Sequence, residues 1–185
     1  FAFYGGYATM AMMIGWATGG ILFGMMSDKL GRVKTMVATL LVYSGFTGLS
    51  GTAHSWQAFI VYRFLVGLGV GGMFGAATTL VAESVPGRFR AIALGSLQAL
   101  SATGNIIGSL VSFLVPPSQF NFIGSYSGWR VLFFIGILPS LLAIPILLFL
   151  REPEAWKRAK EAASEAGQGQ KVGSLADLFG HPRWR

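Results

Sequence analysis

Long stretches without charge dominate this sequence. No Asp, Glu, Lys or Arg occurs in residues 1–27, 35–62, 64–82, 91–129 or 131–150. Because a helix needs about 20 apolar residues to cross the hydrocarbon core of a bilayer, the pattern predicts five crossings. We place them as span A (1–26), span B (35–50), span C (56–81), span D (91–115) and span E (131–150), of which span B is the shortest.

The composition excludes a soluble domain. Of the 185 residues, 53% are hydrophobic and 11% are charged, whereas an ordinary soluble domain has about 25% charged residues. Cysteine is absent, which excludes a disulfide scaffold and a cysteine-ligated metal site. We therefore predict an all-α membrane protein, and we expect no cofactor.

The placement of the basic residues predicts the orientation, because cytoplasmic loops carry an excess of Lys and Arg. Of the 14 basic residues, three lie in 27–34, two in 83–90 and seven in 151–185, and all seven acidic residues lie on the same side of the spans. We assign these three segments to the cytoplasm, most simply of a plasma (inner) membrane. The net charge of +7 thus comes from basic residues that set the orientation in the membrane. We expect a lipid bilayer rather than nucleic acid as the partner.

This pattern divides the chain into two predicted parts. Residues 1–150 are predicted as the transmembrane bundle and residues 151–185 as a cytoplasmic linker with short helices, the last of them starting at Ser174. The odd number of spans, and the start of the chain at Phe1 inside an apolar run, predict a fragment of a longer protein.

The loop after span A combines glycine, acidic and basic residues. It runs Gly24-Met25-Met26-Ser27-Asp28-Lys29-Leu30-Gly31-Arg32-Val33-Lys34. We expect Gly24 to let another backbone approach closely, Asp28 to meet a helix N-terminus, and Gly31 to permit a tight reversal. We expect the basic residues to contact lipid phosphates. An ordinary cytoplasmic loop explains those basic residues but not the glycines and the aspartate among them.

This loop resembles the signature loop between the second and third helices of the major facilitator superfamily. The resemblance implies that spans A–E are helices two to six of a partial helical bundle. It also implies that the first helix and the C-terminal half of the same protein are partners of this part.

Further motifs are similar to the sugar porters and the metabolite:proton symporters of that superfamily. They are Arg63-Phe64-Leu65-Val66-Gly67-Leu68-Gly69, the spacing of Arg63, Glu83, Arg90 and Gln98, the triplet Gly128-Trp129-Arg130, and Arg151-Glu152-Pro153-Glu154-Ala155-Trp156. The last segment departs from the Pro-Glu-Ser-Pro-Arg of sugar porters, so a sugar and an organic acid both stay open as substrate.

Arg63 is the one charged residue inside a predicted span. It lies about 10 Å below the outer boundary at 1.5 Å per residue, and a central Arg costs about 2.5–3.5 kcal/mol to insert. Its side chain either extends to the outer headgroups or pairs with a carboxylate from another helix or from an anionic substrate. By resemblance, Arg63 is a coupling residue that tunes the pKa of an acidic proton carrier on the first helix.

Span D carries a polar stripe at helical spacing. Its members are Gln98, Ser101, Asn105, Ser109 and Ser112, which the 3.6-residue period places on one face. Five polar side chains on one face of a membrane helix predict a wet, substrate-binding cavity. Hydrogen bonds between helices are the alternative.

By resemblance, a group of cytoplasmic residues gates the conformational change. Its members are Gly24, Asp28, Lys29, Gly31, Arg32, Lys34, Glu83 and Arg90. Glu83 is expected among Arg32, Arg88 and Arg90, where the alternative is a solvated cluster of little energetic worth. Small-residue faces are expected to pack helices closely, namely Gly67/Gly71/Gly75, Gly20/Gly24 and Gly104/Gly108.

We therefore predict a secondary transporter of a small polar metabolite, a sugar or an organic acid, with proton coupling and alternating access. The alternatives are a facilitative uniporter and a receptor or scaffold with the same fold. We do not expect an enzyme, because no nucleophile has an evident base nearby.

Overall fold

A computed structural model describes residues 2–114 and 128–165 of the chain. The helices are α1 (Ala2–Leu30), α2 (Arg32–Gly51), α3 (Trp56–Ser84), α4 (Gly87–Leu114), α5 (Gly128–Ile135), a 3-10 helix (Leu138–Leu142), α6 (Ala143–Phe149) and α7 (Glu154–Glu165). The described residues contain no strand, which agrees with the predicted all-α class. The predicted helix start at Ser174 lies outside the described residues.

The helices extend past the predicted spans at the side that the sequence assigns to the cytoplasm. Helix α1 continues to Leu30, α3 continues to Ser84, and α4 begins at Gly87. The spans were bounded by charged residues, but a helical backbone continues through charges until its geometry is interrupted. Gly31, with φ of 112°, and Pro86 supply those interruptions.

Helix α2 differs from the other long helices in its polar content. Four segments of the described chain are long and apolar enough to cross a membrane, namely Phe3–Leu30, Trp56–Ser84, Gly87–Leu114 and Leu132–Phe149. Span B, now part of α2, is not among them. Its hydroxyl residues are turned inward, since Thr35, Thr39, Ser44 and Ser50 are all 0% exposed. The crossing by α2 therefore stays a prediction, and its polar residues would face protein rather than lipid.

Span E is not one regular helix. Helix α5 ends at Ile135, and the chain passes through the 3-10 helix before α6 begins at Ala143. Pro139 lies at the start of the 3-10 helix, where its missing N–H interrupts the helical hydrogen bonds. Gly136 lies against Thr47 of α2, and a Cβ at this position would come within 2.5 Å of the Thr47 methyl carbon.

Helix α3 is the centre of the packing, with α1 on one side and α2 on another. Glycines permit the α1–α3 contact. A Cβ on Gly15 or Gly19 would overlap backbone of α3, and a Cβ on Gly67 or Gly71 would overlap backbone of α1. The two helices therefore meet backbone to backbone, which favours close van der Waals packing.

Of the glycines expected to pack helices, Gly67, Gly71 and Gly20 do so between α1 and α3, whereas close packing at Gly24, Gly104 and Gly108 stays a prediction. Gly67 and Gly71 pack α3 against α1, as predicted: a Cβ on Gly67 would overlap the backbone of Met12, and a Cβ on Gly71 would come within 2.9 Å of the backbone N of Gly20. Among the described residues, a Cβ on Gly24, Gly104 or Gly108 would meet nothing within 4 Å. The close backbone approach that we expected at Gly24 is absent from this part of the chain.

The apolar core lies between α2, α3 and α6. Its buried members are Val33, Met36, Val37, Leu40, Ala76, Leu80 and Ala143. Met73 and Ile146 pack against both groups of these residues, so they join them into one core. This core lies beside the end of the bundle at which α2 begins.

Candidate functional site: an ion-paired helix junction and an open polar face

Arg32 and Glu83 form a two-point ion pair at the predicted cytoplasmic end. The Arg32 Nη2 lies 2.8 Å from Glu83 Oε1, and its Nε lies 3.0 Å from Oε2. The side chains are 8% and 24% exposed. The planar guanidinium matches a carboxylate in this arrangement, which makes the pair stronger than a single contact. The pair therefore joins the start of α2 to the end of α3.

Arg32 also contacts the end of α1. Its Nη1 lies 3.0 Å from Asp28 Oδ1 and donates a hydrogen bond of 2.9 Å to the carbonyl of Ser27. Burial alone would lower the pKa of Arg32, but the hydrogen bond and charge of Glu83, with the charge of Asp28, raise it above its ordinary value. Arg32 is thus a buried cation that three helices share, and the expectation that it contacts lipid phosphate is wrong.

Glu152 closes the N-terminus of α2. Its carboxylate accepts hydrogen bonds from the backbone N–H groups of Arg32, Val33 and Lys34, at 2.7, 3.0 and 3.4 Å. These donors have no partner inside the helix, and a negative charge at this end is favourable. We expected Asp28 to meet a helix N-terminus. Glu152 does so instead, while Asp28 pairs with Arg32.

Gly31 makes the contact with Glu152 possible. Its φ of 112° is a conformation that side chains rarely adopt, and a Cβ there would overlap the Glu152 carboxylate. The tight reversal that the sequence predicted at Gly31 is therefore present. The reversal and the room for the carboxylate both require glycine.

Two residues of this junction were not predicted as site residues. They are Glu152 and Trp156, whose indole N–H donates a hydrogen bond of 2.9 Å to the carbonyl of Asp28. The segment Arg151–Trp156 was recognisable as a motif, but its spacing does not tell which acidic residue turns inward. The structure shows Glu152 inside, whereas Glu154 pairs with Lys157 at the surface.

The other predicted gating residues lie outside this junction. Lys29, Lys34 and Arg90 are exposed, and none of these side chains forms an ion pair within the described residues. Arg88 lies with its Cζ 4.6 Å from the ring centroid of Phe89. Glu83 therefore pairs with Arg32 and not with Arg88 or Arg90 in the described part of the chain.

The polar stripe of α4 lies on an open helix. Residues 98–110 are all exposed, and the main contact of α4 with the long helices is with α3. Ser109 donates a hydrogen bond of 2.9 Å to the carbonyl of Asn105 in its own helix. Ser101 lines a mostly apolar groove of about 420 Å³ between α2, α3 and α4. Gln98 and Asn105 keep their side-chain amides free of partners within the described residues.

Arg63 lies at the opposite end of the bundle from the ion-paired junction. Its Cζ is 5.0 Å from the ring centroid of Phe59 and 4.3 Å from that of Phe133. Asp28 and Glu83 lie at the other end of the bundle, where both pair with Arg32. The guanidinium is therefore held by aromatic rings in the described part of the chain.

The described residues form a helical bundle with four segments long and apolar enough to cross a membrane, and comparison with known proteins identifies the family. The chain belongs to the Major Facilitator Superfamily, whose sequence model matches residues 2–184. The predicted membership is thereby confirmed. The expectation that the chain is not an enzyme also agrees with this family of transporters.

The relatives are transporters of metabolites. The chain is 35% identical over 173 residues to the cis,cis-muconate transport protein of Acinetobacter baylyi, covering 94% of this chain and 40% of the relative. It is 39% identical over 138 residues to the sialic acid transporter NanX of Escherichia coli, covering 75% of this chain and 32% of that protein. The chain thus spans less than half the length of these relatives.

The fold is similar to that of a solved transporter. The proton:xylose symporter XylE, from E. coli, bound to 6-bromo-6-deoxy-D-glucose, has a TM-score of 0.75 at 20% identity, covering 94% of this chain and 41% of that protein. At this identity the likeness concerns the fold alone, which is a partial major-facilitator helical bundle.

Proposed function

We propose that the full-length protein is a secondary transporter of a small organic acid that works by alternating access and couples uptake to protons. The open polar face of α4 carries this proposal. A transport site shared between two halves needs polar groups on a face that one half alone leaves uncovered. Gln98, Ser101, Asn105 and Ser109 supply such groups.

An organic acid is favoured over a sugar by the chemistry of the relatives and by Arg63. Muconate and sialic acid, which name two relatives, both carry carboxylates. The xylose symporter XylE is only 20% identical to this chain, so its similarity supports the fold and not a sugar substrate. A cation within the predicted span C is an additional group that suits an anion.

The junction of Arg32, Glu83, Asp28 and Glu152 supports alternating access. It joins the ends of α1, α2 and α3 to the segment after α6. We infer that it holds these ends together when the cytoplasmic side is closed and loosens when that side opens. Gly24, Lys29, Lys34 and Arg90 belong to the proposed gate through contacts with the rest of the protein. In this account residues 27–34, 83–90 and 151–185 face the cytoplasm.

Counterflow tests this function directly. Proteoliposomes that contain the full-length protein are loaded in turn with cis,cis-muconate, sialic acid or xylose. Each compound is assayed with and without a pH gradient. We expect exchange of a carboxylate, with net uptake that depends on the gradient. A uniporter would show no effect of the gradient, and a receptor or scaffold would exchange none of the three.

The variant Gln98→Ala tests the binding face. Loss of a hydrogen bond to a charged ligand costs about 1.5–3 kcal/mol, so we expect the KM to rise by about tenfold or more. Ser96→Ala is the matched control, because its hydroxyl bonds to the carbonyl of Ala93 and lies off the stripe. If Gln98→Ala leaves the KM of every exchanged compound unchanged, α4 is not the binding face.

A further inference from the structure

Two phenylalanine rings form a corner around the Arg63 guanidinium. Phe59 precedes Arg63 by one turn of α3, and Phe133 lies on α5. The ring centroids are 5.8 Å apart, and the ring planes meet at 74°. The Arg63 Cζ lies over both faces, at 5.0 and 4.3 Å, within the range of about 6 Å for a cation–π contact.

Neighbouring residues hold Phe133 in place. Trp129 packs edge to face on its ring, with centroids 5.8 Å apart at 84°. Arg130 donates a hydrogen bond of 3.3 Å to the carbonyl of Ala53, in the loop before α3. A Cβ on Gly51 would come within 3.1 Å of the Phe133 Cβ. The start of α5 is therefore fixed against the loop that leads into α3, and the corner is preorganised.

The corner compensates for the charge of Arg63 but does not satisfy its hydrogen bonds. A guanidinium has five N–H donors that point outward in its plane, whereas ring faces attract the cation as a whole. Within the described residues, the Arg63 side chain contacts the two rings but has no hydrogen-bond acceptor and no ion-pair partner. A carboxylate, which accepts two parallel N–H bonds, is the acceptor that fits this geometry best.

We propose that Phe59 and Phe133 are positioning residues of a carboxylate-binding site centred on Arg63. This inference rests on the proposed transport of an organic acid. The rings keep the guanidinium in one place while its N–H groups pair with a carboxylate and release it. That carboxylate belongs either to the substrate or to an acidic side chain elsewhere in the full-length protein.

The test lowers the electron density of one aromatic ring while it nearly preserves the size of the ring. In the full-length protein, Phe133 is replaced by phenylalanine with one, two and three ring fluorines, which weaken the cation–π attraction stepwise. Phe133→Leu and Phe133→Trp extend the series. The KM of cis,cis-muconate in counterflow and the inhibition constant of its neutral diamide are measured for each.

We expect the KM of muconate to rise with each fluorine and by about tenfold in Phe133→Leu, with Vmax changed less than twofold and with recovery in Phe133→Trp. Phe46→Leu is the matched control, because Phe46 stacks on Tyr62 at 6.4 Å and not on Arg63. If the inhibition constant of the diamide stays constant, the carboxylate is that of the substrate. If both constants rise in parallel with fluorination, it is an acidic side chain of the protein.

A KM that is unchanged across the fluorinated series, in a protein that exchanges muconate, overturns the inference and leaves the proposed transport intact. A change in Phe133→Leu without any graded effect of fluorine also overturns it, because packing alone would then explain the loss. A wild-type protein that exchanges no carboxylate overturns the proposed function, and the inference with it.

Discussion

At the scale of single residues, Arg32 joins more elements than any other side chain of the ion-paired junction. Its guanidinium contacts Glu83, Asp28 and the carbonyl of Ser27, and its backbone N–H donates to Glu152. Because the side chain is 8% exposed, loss of one partner would leave a buried charge without compensation. The junction therefore depends on charge pairing in a partly desolvated place.

Because of this burial, we expect two ion pairs of nearly equal length to contribute differently to the free energy of unfolding. Arg32–Glu83 measures 2.8 Å with side chains 8% and 24% exposed, and Lys157–Glu154 measures 2.7 Å with side chains 44% and 72% exposed. We expect Glu83→Gln to lower the free energy of unfolding by about 1–3 kcal/mol, and Glu154→Gln to leave it nearly unchanged, because solvent screens an exposed ion pair. Denaturation of the purified full-length variants measures both.

A double-mutant cycle separates the pair from other effects. With Arg32→Gln, Glu83→Gln and the double variant, we expect a coupling free energy above about 0.5 kcal/mol, as for residues in contact. Equal losses for Glu83→Gln and Glu154→Gln would contradict the account, because burial would then not decide the worth of the pair.

At the scale of helices, the α1–α3 contact is the most restrictive in the described part of the chain. Gly15 and Gly19 on α1 face backbone of α3, while Gly67 and Gly71 on α3 face backbone of α1. Side chains larger than hydrogen would push the axes apart along the whole contact. The glycines therefore set the distance between the axes of α1 and α3.

The variant Gly67→Ala tests this contact. Its Cβ would overlap the carbonyl of Met12, whereas a Cβ on Gly45 would meet nothing within 4 Å. We expect Gly67→Ala to destabilise the full-length protein by about 1–3 kcal/mol through overpacking, with Gly45→Ala within about 0.5 kcal/mol of wild type or slightly more stable. Thermal unfolding of both variants provides the comparison. A neutral Gly67→Ala would show that the helices are farther apart than described here.

The sequence predicts the helices well and their partners less well, for physical reasons. Uncharged stretches and turn residues locate helices because both act locally. The partners of Gly67 and Gly71 on α1 are not local. The pairs Gly15/Gly19 and Gly20/Gly24 share the same spacing, and only packing places Gly15, Gly19 and Gly20 against α3 while it leaves Gly24 open in the described residues. Likewise, Glu152 and Glu154 differ by two positions, and the path of the chain after α6 decides which one reaches α2.

At the scale of the whole molecule, charge and polarity divide the bundle into three regions. One end holds the ion-paired junction of Arg32, Glu83 and Glu152, and the other holds Arg63 between Phe59 and Phe133. Helix α4 presents an open polar face between them. This arrangement suits one half of a transporter whose substrate lies at the boundary with the other half.

The orientation of the helices in the bilayer is the claim on which the transport account depends. It is measured with single cysteines introduced into a full-length protein without other cysteines. Lys29→Cys lies beside the ion-paired junction and Thr52→Cys lies in the loop before α3, and both positions are exposed. A membrane-impermeant maleimide is applied to intact cells and to inside-out vesicles. We expect labelling of Thr52→Cys in cells and of Lys29→Cys only in inside-out vesicles. Labelling of Lys29→Cys in intact cells would show that the helices have the opposite orientation.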